Sequence, residues 1–315
     1  MTARQKIFVI GARRSGTTWT LSLLSQHPSI VGVLHTNFIR ALRDLNAWWE
    51  RSDPYHNTVL LADDEVDNLR KHITEDEFYR LLRQVCDAVL DKAFIAKPTA
   101  QYLVESQPEN IEYLPLIRRM YPDARILHVI RDPRAVYSSW KAAARTWSSR
   151  NVFGANPVRF CHRWRREIEA AKRFSSDSET YRVIRYMDLK DFGPDVLLEL
   201  YDWLGLPRDK ELAKASIDAC DMQRMRKRKI MPDGFFRSGR KTGWKSELGK
   251  SEIKCIEYLL HDLMEEFGYE RTAATGSPQK PFVVRKYEFL RRAFHVLQRI
   301  APRRFADFLK RSYVG

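Results

Sequence analysis

Short apolar runs alternate along the chain with longer stretches of helical periodicity. Five runs predict buried strands, namely QKIFVIG, IVGVL, AFIAK, ARILHVIRD and TYRVIRYMDL, the last of them followed by a turn. Helical spacing of apolar residues predicts helices in TTWTLSLLSQHP, PRAVYSSWKAAARTW and DVLLELYDWLGLP, and two or more helices within residues 38–49 and 63–92. KSEIKCIEYLLHDLMEEFGY predicts one long helix that ends at Gly268. This alternation predicts an α/β fold with a mostly parallel central sheet that helices cover on both faces.

The C-terminal part of the chain follows a different pattern. Residues 272–280, TAATGSPQK, are mostly small and predict a linker. Residues 281–315 place apolar side chains on one helical face and Arg and Lys on the other, so we expect a basic amphipathic helical tail. Residues 1–271 are expected to form one domain. The tail either packs on that domain or lies at an anionic membrane surface, and we favour the membrane contact.

Composition adds a strong positive charge and few signs of export. The 55 Lys and Arg residues exceed the 40 Asp and Glu residues by 15, which suits an anionic ligand or a membrane surface; we expect no nucleic acid partner. No apolar run approaches the ~20 residues that span a bilayer, and residues 7–12 are too short for a secretory signal. The widely spaced cysteines predict buried thiols instead of a zinc site or disulfides: Cys86, Cys161, Cys220 and Cys255. We expect a cytoplasmic protein, peripheral on the inner face of a membrane.

The segment IFVIGARRSGTTWT, residues 7–20, has the G-x-x-x-x-G spacing of a phosphate-binding loop. A strand that enters a helix through such a turn leaves backbone N–H groups unpaired at the helix start, where the helix dipole also favours an anion. Thr17 and Thr18 add hydroxyl donors, and Arg14 adds a permanent charge with a bidentate fork. Because Thr17 stands where a nucleoside-triphosphate enzyme has Lys, the loop argues against ATP chemistry but not against a phosphate ligand.

Five motifs in register resemble the sulfotransferases that use 3′-phosphoadenosine-5′-phosphosulfate (PAPS). RRSGTTW resembles their 5′-phosphosulfate loop, in the form with Arg that tyrosylprotein and several carbohydrate or bacterial enzymes carry. ILHVIRDPRAVYSSW is similar to the 3′-phosphate motif, with Arg131 and Ser139 at its two positions. IRYMDL resembles a segment that implies Tyr186 near the adenosine, LYDWLGLP is typical of the helix after it, and RSGRKTGWK resembles the loop that closes over the nucleotide. The resemblance covers about residues 6–270.

The resemblance implies a P-loop-like three-layer fold, PAPS as donor, 3′-phosphoadenosine 5′-phosphate (PAP) as product, and no metal. It implies these cofactor-binding residues: Arg13, Arg14, Ser15, Gly16, Thr17, Thr18, Trp19, Arg131, Ser139, Tyr186, Arg237, Ser238, Gly239, Trp244 and Lys245. Trp19 and Trp244 are either adenine-stacking faces or core aromatics. Arg14 is the candidate for stabilising the leaving oxygen.

His35 is the candidate general base. It lies 21 residues beyond Arg14, close to where tyrosylprotein and carbohydrate sulfotransferases carry a catalytic Glu, and a neutral imidazole accepts protons near neutral pH. The alternative is a structural histidine at a strand end. VESQPEN, residues 104–110, departs from the Glu-Lys-Thr-Pro of many bacterial relatives, because Ser106 stands where they have Lys. Glu105 is the reserve candidate for the base. Lys97 is a candidate for supplying the positive charge that Ser106 lacks.

The sequence therefore predicts sulfuryl transfer from PAPS to a hydroxyl, on a carbohydrate or glycolipid. A protein tyrosine is the alternative acceptor. Alternatives of other classes are a P-loop nucleotide kinase and a non-enzymatic protein that binds polyanions or membranes. Phe38, Trp48 and Trp49 form either an apolar platform for the acceptor or part of a helix core.

Overall fold

A computed structural model describes most of the chain. The described residues are 4–51, 58–60, 66–68, 71–146, 156–175, 179–227, 235–236, 239, 241–272 and 280–300. The chain divides into two compact units. The first consists of residues 1–130 and 167–221, and the second of residues 131–166 and 222–315.

The first unit contains a parallel five-stranded sheet. The strands of the described residues are β1 (Gln5–Ile10), β2 (Ile30–Leu34), β3 (Thr58–Leu60), β4 (Val66–Asn68), β5 (Tyr102–Ser106), β6 (Arg125–Ile130) and β7 (Tyr181–Arg185). The main sheet has the order β2-β5-β1-β6-β7, and β3 and β4 form a separate antiparallel pair. This parallel sheet with its helices confirms the predicted α/β fold.

Helices connect the strands and continue beyond the last one. The α-helices of the described residues are α1 (Thr17–Leu24), α2 (Phe38–Glu50), α3 (Glu75–Leu90), α4 (Leu114–Met120), α5 (Pro133–Thr146), α6 (Pro157–Lys172), α7 (Tyr186–Asp191), α8 (Gly193–Trp203), α9 (Lys210–Ala219), α10 (Met222–Lys227), α11 (Trp244–Glu247), α12 (Lys250–Leu259), α13 (His261–Glu266) and α14 (Phe282–Ile300). Among the described residues, Asp91–Ile95 and Pro108–Tyr113 form 3-10 helices.

The strand order opens a crevice at the carboxyl end of β1. After β1 the chain crosses to β2 at one edge of the sheet, and after β6 it crosses to β7 at the other edge. Adjacent parallel strands whose connections leave in opposite directions form a crevice outside their carboxyl ends, where ligands bind in open α/β sheets. The loop of residues 11–16 follows β1 and therefore begins at this crevice.

The predicted strand AFIAK is wrong. Its first three residues belong to the 3-10 helix Asp91–Ile95, which continues directly from α3, its last two follow that helix, and Ile95 is 75% exposed. The strand of the main sheet that the sequence pattern missed is β5, YLVES, in which all five residues are buried. Because two of its five residues, Glu105 and Ser106, are polar, the segment lacks the apolar run that predicts a buried strand. The short strands β3 and β4 were not predicted either.

Three other predicted elements differ from the structure. The helical structure predicted over residues 63–92 begins only at Glu75, because Thr74 and Glu77 form a reciprocal capping box, and β4 precedes it. The strand predicted over TYRVIRYMDL ends at Arg185, and its last four residues, YMDL, belong to the helix α7 where a strand and a turn were expected. The long helix expected to end at Gly268 is two helices, α12 and α13, with a break at Leu260, whose φ of −121° is not helical.

The aromatic residues proposed as an acceptor platform belong to the core of the first unit. Trp49 stacks on Phe78 with ring centroids 4.4 Å apart, and Phe38 and Trp48 pack against the same cluster. Of the two interpretations of Phe38, Trp48 and Trp49, the one that places them in a helix core agrees with the structure. The four cysteines are buried thiols, as predicted.

The C-terminal helix α14 belongs to the second unit. Val284 is 1% exposed and packs with Val158 and Cys255. The helix predicted in the tail is thus present over Phe282–Ile300, whereas residues 273–279 of the predicted linker and residues 301–315 lie outside the described part of the chain. No helix that the structure describes has the length and apolar character needed to cross a membrane.

Candidate active site

The loop after β1 packs closely against the neighbouring strand β6. A Cβ atom on Gly11 would lie 2.5 Å from the Val129 carbonyl oxygen and 2.6 Å from Ser15 Oγ, so glycine is required by this approach. Ser15 is 1% exposed and donates to the Ala12 carbonyl oxygen from its N–H group at 3.0 Å and from Oγ at 2.6 Å. The Ser15 hydroxyl thus fixes the loop from inside.

Gly16 sets the direction in which α1 starts. Its φ of 107° lies in the region that favours glycine, and an added Cβ would lie 2.4 Å from the Tyr186 ring. Within the described chain, α1 has no side-chain cap and no acidic residue in its first turn. The first N–H groups of α1, beginning at Thr17 and Thr18, therefore form a helix start suited to an anion.

The two arginines of the loop are placed differently. Arg13 forms an ion pair with Oε1 of Glu109. Arg14 has a φ of 76°, a left-handed conformation that is uncommon for a long side chain. Such backbone strain is held by the surrounding structure and often marks ligand-binding loops. The surrounding structure therefore holds the backbone of Arg14 in a strained conformation.

Trp19 is largely enclosed by its own unit. It is 4% exposed, and its Nε1 donates to the Cys220 carbonyl oxygen at 2.8 Å. Its ring and that of Tyr186 form an edge-to-face contact with centroids 5.4 Å apart, and the Lys190 ammonium lies 4.6 Å from the centre of the Trp19 ring. This placement favours the core alternative for Trp19, and adenine stacking stays a prediction.

His35 follows β2 and is held by residues that follow β5. Its N–H group donates to the Ser106 carbonyl oxygen at 3.1 Å, and its φ is 52°. Its Nδ1 lies 3.1 Å from Oε1 of Gln107. The Nε2 group of Gln107 donates to Asn37 Oδ1 at 3.0 Å and to Glu109 Oε2 at 2.5 Å. The sequence prediction missed Gln107 and Glu109, although both stand in the quoted segment VESQPEN.

Glu105 lies beneath the turn that carries His35. It is 1% exposed; Oε1 accepts from Thr36 Oγ1 at 2.7 Å, and Oε2 accepts from Asn110 Nδ2. Burial raises the pKa of this carboxyl group to about 7, against the lowering effect of the two hydrogen bonds. Both oxygens already accept hydrogen bonds inside the fold, an arrangement that suits support of the turn more than proton transfer to a ligand.

The raised pKa of Glu105 predicts a loss of stability at higher pH. The folded-state pKa of Glu105 is about 7 and the ordinary value is 4.5, so between these values the folded state binds more protons than the unfolded state. The stabilisation linked to protonation of Glu105 is therefore present below pH 4.5 and is lost as pH rises through 7. The free energy of unfolding of Glu105→Gln should rise relative to wild type by up to about 3 kcal/mol between pH 4.5 and pH 8, measured by urea unfolding. Glu270→Gln, at an exposed position, is the control, and a pH-independent difference for Glu105→Gln would contradict the prediction.

Lys97 does not lie near the loop cations. Its Nζ donates to three backbone carbonyl oxygens, of Ser25 at 3.2 Å, His27 at 2.6 Å and Ile30 at 2.8 Å. Ile30 begins β2, whereas His35 follows its carboxyl end, roughly 15 Å away at the usual rise of a strand. Lys97 therefore satisfies carbonyl groups before and at the start of β2 and does not replace the cation absent at Ser106.

The second unit carries the residues predicted for the 3′-phosphate. Arg131 directly follows β6 and is half-buried, and Ser139 on α5 is 4% exposed. Gly239 has a φ of 62°, and Lys245 is exposed. Arg237 and Ser238 lie outside the described residues.

Trp244 begins α11 within a buried ionic cluster. It is 4% exposed, and the Arg134 guanidinium lies 4.1 Å from its ring centre. Arg134 pairs with Asp132 at 2.8 Å and with Glu257 at 2.5 Å. The sequence prediction missed Arg134, whose only signal was its place in the quoted motif IRDPRAVYSSW. The contact covers one face of the Trp244 ring, which favours a structural role for that face.

The family of the chain follows from comparison with known proteins. The model of the sulfotransferase family matches residues 6–210, roughly two thirds of the chain. The chain belongs to the sulfotransferase family. It is 30% identical over 173 residues to human and mouse protein-tyrosine sulfotransferase 1, which is 52% of this chain and 40% of each relative. It is also 31% identical over 137 residues to a putative protein-tyrosine sulfotransferase of Caenorhabditis briggsae, covering 43% of this chain and 42% of that protein. The chain thus spans less than half the length of these curated relatives.

Solved sulfotransferases share the fold of this family member. Mouse sulfotransferase SULT7A1, solved in complex with PAP, has a TM-score of 0.54 at 13% identity, covering 84% of this chain and 88% of that one. The sulfotransferase domain of the Synechococcus PCC 7002 olefin synthase has a TM-score of 0.53 at 17% identity, covering 86% and 97%. RRSGTTW and ILHVIRDPRAVYSSW lie within the matched family region, and RSGRKTGWK lies beyond it. The roles of the individual residues in all three motifs stay predictions.

Proposed function

We propose that this sulfotransferase family member transfers a sulfuryl group from PAPS to an acceptor hydroxyl. The observation that carries the proposal is the start of α1, where the Gly16 turn and a first turn without acidic residues suit an anionic group. Family membership supports the reaction, and the PAP bound to mouse SULT7A1 supports the donor. In PAPS the 5′-phosphosulfate is the anion that this helix start would bind.

In the proposed reaction, the acceptor oxygen forms a bond to sulfur while the bond from sulfur to the bridging phosphate oxygen breaks. That phosphate oxygen keeps the electron pair. His35 accepts the proton of the acceptor hydroxyl. Arg14 and the N–H groups at the start of α1 stabilise the charge that develops on the leaving oxygen. Arg131 and Ser139 bind the 3′-phosphate by charge-assisted hydrogen bonds.

Two observations support His35 over Glu105 as the base. His35 is half-buried and follows the carboxyl end of β2, whereas Glu105 is 1% exposed. The oxygens of Glu105 accept hydrogen bonds from Thr36 and Asn110, and proton transfer to a carboxylate requires one of its oxygens to reach the acceptor. Glu105 therefore acts by supporting the His35 turn.

A carbohydrate or glycolipid hydroxyl is the proposed acceptor, and a protein tyrosine is the second candidate. The identity to human protein-tyrosine sulfotransferase 1 favours the second candidate. Transfer of labelled sulfate from PAPS to a panel of glycans and Tyr peptides separates the two.

Transfer should persist in EDTA, whereas a kinase of the P-loop type would require magnesium. Clear heat of binding with ATP and none with PAP in calorimetry would overturn the proposed function.

Gly16→Ala should weaken PAP binding by about tenfold or more, because the added Cβ meets the Tyr186 ring and the residue must keep a φ of 107°. Gly205→Ala is the matched control: Gly205 also has a positive φ, of 71°, but an added Cβ there would find only the Tyr102 hydroxyl, at 4.0 Å. Calorimetric titration with PAP measures both. Equal affinities for the two variants would show that the Gly16 turn does not hold the donor.

Peripheral membrane contact through α14 is also proposed. Phe282 and Phe289 are each 71% exposed on α14, beside exposed cations such as Arg285 and Lys286. Apolar and cationic side chains of this kind bind anionic bilayer surfaces. Phe282→Ser with Phe289→Ser should reduce flotation with anionic phospholipid vesicles, and Phe192→Ser, 60% exposed in the first unit, should not. Unchanged flotation of the double variant would rule out this contact.

A further inference from the structure

Gln107 connects the proposed base with the proposed donor loop. Its amide faces three groups: Oε1 lies 3.1 Å from His35 Nδ1, and Nε2 donates to Asn37 Oδ1 at 3.0 Å and Glu109 Oε2 at 2.5 Å. Gln107 is 2% exposed. Because the buried amide is largely shielded from water, these partners decide how it is oriented.

Glu109 fixes which end of the Gln107 amide faces the histidine. A carboxylate only accepts hydrogen bonds, so the Gln107 atom 2.5 Å from Glu109 Oε2 is the amide nitrogen. Arg13 pairs with the other carboxylate oxygen, Oε1, and so holds the Glu109 carboxylate in this orientation. The carbonyl oxygen of Gln107 is left to face His35.

We infer that Gln107 positions His35 as the tautomer with its proton on Nδ1. An amide oxygen only accepts, so Nδ1 must donate, and Nε2 of the neutral imidazole then carries the lone pair. Nε2 is therefore the atom that accepts the hydroxyl proton, a step that rests on the proposed function. The tautomer itself rests only on the contacts of Gln107. Through Glu109 and Arg13 the same chain of contacts reaches the donor loop.

The tautomer is measured directly by NMR of protein labelled with ¹⁵N-histidine, at a pH where the ring is neutral. His35→Asn identifies the signal of His35 by its loss. In the wild type, Nδ1 should show the shift of a protonated nitrogen and Nε2 that of an unprotonated one. Gln107→Met should replace this pattern by a mixture of tautomers, and Gln101→Met, at an exposed position at the other end of the same strand region, should leave it unchanged.

Turnover provides the second readout. Gln107→Met should lower kcat by about 10- to 100-fold with little change in PAP affinity. This loss is smaller than the roughly 10⁴-fold that follows when an asparagine enforces the wrong histidine tautomer in a protease triad, because methionine enforces neither tautomer. The exchange Gln107→Glu with Glu109→Gln keeps the net charge and an acceptor facing Nδ1. It should restore the Nδ1–H pattern and part of the turnover.

The outcomes separate the two proposals. A wild-type spectrum with the proton on Nε2, or a Gln107→Met spectrum like the wild type, would overturn the positioning role of Gln107. The role would also be overturned if the exchanged pair regained the Nδ1–H pattern but lost as much turnover as Gln107→Met. A wild-type protein with the predicted spectrum but no sulfuryl transfer would overturn the proposed function and leave the tautomer in place.

Discussion

His35→Asn is expected to lower the turnover number for sulfuryl transfer by about 10²- to 10⁴-fold, the range typical of a positioned general base. Asparagine is the informative replacement because His35 has a φ of 52°, and asparagine tolerates this left-handed conformation. The asparagine amide also places a donor near Oε1 of Gln107, where His35 Nδ1 now lies. The variant therefore removes the proton acceptor and leaves the turn largely as it is.

Binding and rescue distinguish lost chemistry from lost structure. PAP affinity of His35→Asn should stay within about twofold of wild type, because only the step that transfers the proton is affected. His35→Gly tolerates the same φ and leaves room for a ligand, so added imidazole should restore part of its turnover. Full activity of His35→Asn would place the base elsewhere, and Glu105→Gln would then be the variant to assay.

The parts of the fold that the sequence predicted correctly are those with local signals. QKIFVIG is followed by a glycine turn and a helix, and each of these features is contained within about a dozen residues, so β1, the loop and α1 lie where the pattern placed them. By contrast, AFIAK has the apolar composition of a strand, but it lies directly after α3 and continues as a 3-10 helix. β5 was missed because its buried residues include Glu105 and Ser106.

The surroundings of His35 depend on contacts between distant segments. His35 and Gln107 are 72 positions apart, and they meet because β2 and β5 are parallel neighbours whose carboxyl ends coincide. The sequence singled out His35 from its distance to Arg14 but had no signal for this pairing. Arg13 illustrates the same limit, since its ion pair with Glu109 also joins the loop to residues after β5. Candidate site residues such as His35 and Arg13 could be predicted from local motifs. Their contacts with Gln107 and Glu109 could be predicted only with knowledge of the strand order in the sheet.

Arg14→Gly is expected to lower turnover by about 10²- to 10³-fold, the usual effect of removing a group that stabilises charge in the transition state. Its φ of 76° makes glycine the suitable replacement, because glycine adopts this conformation without the strain of a side chain. The loop backbone and the N–H groups at the start of α1 should therefore keep their positions. Arg14→Asn, which also tolerates a positive φ, should lose as much.

Comparison of three variants identifies the group responsible for the effect. If the guanidinium stabilises the leaving oxygen, Arg14→Lys should keep part of the turnover, since it retains the charge but not the bidentate fork. PAP affinity should fall much less than turnover in Arg14→Gly, because interactions made mainly in the transition state affect kcat. Arg13→Gln tests the other loop cation, which already pairs with Glu109. If Arg13→Gln lost sulfuryl transfer with the Nδ1–H pattern of His35 intact, while Arg14→Gly retained transfer, the leaving oxygen would be stabilised from Arg13, and the strain at Arg14 would serve only the shape of the loop.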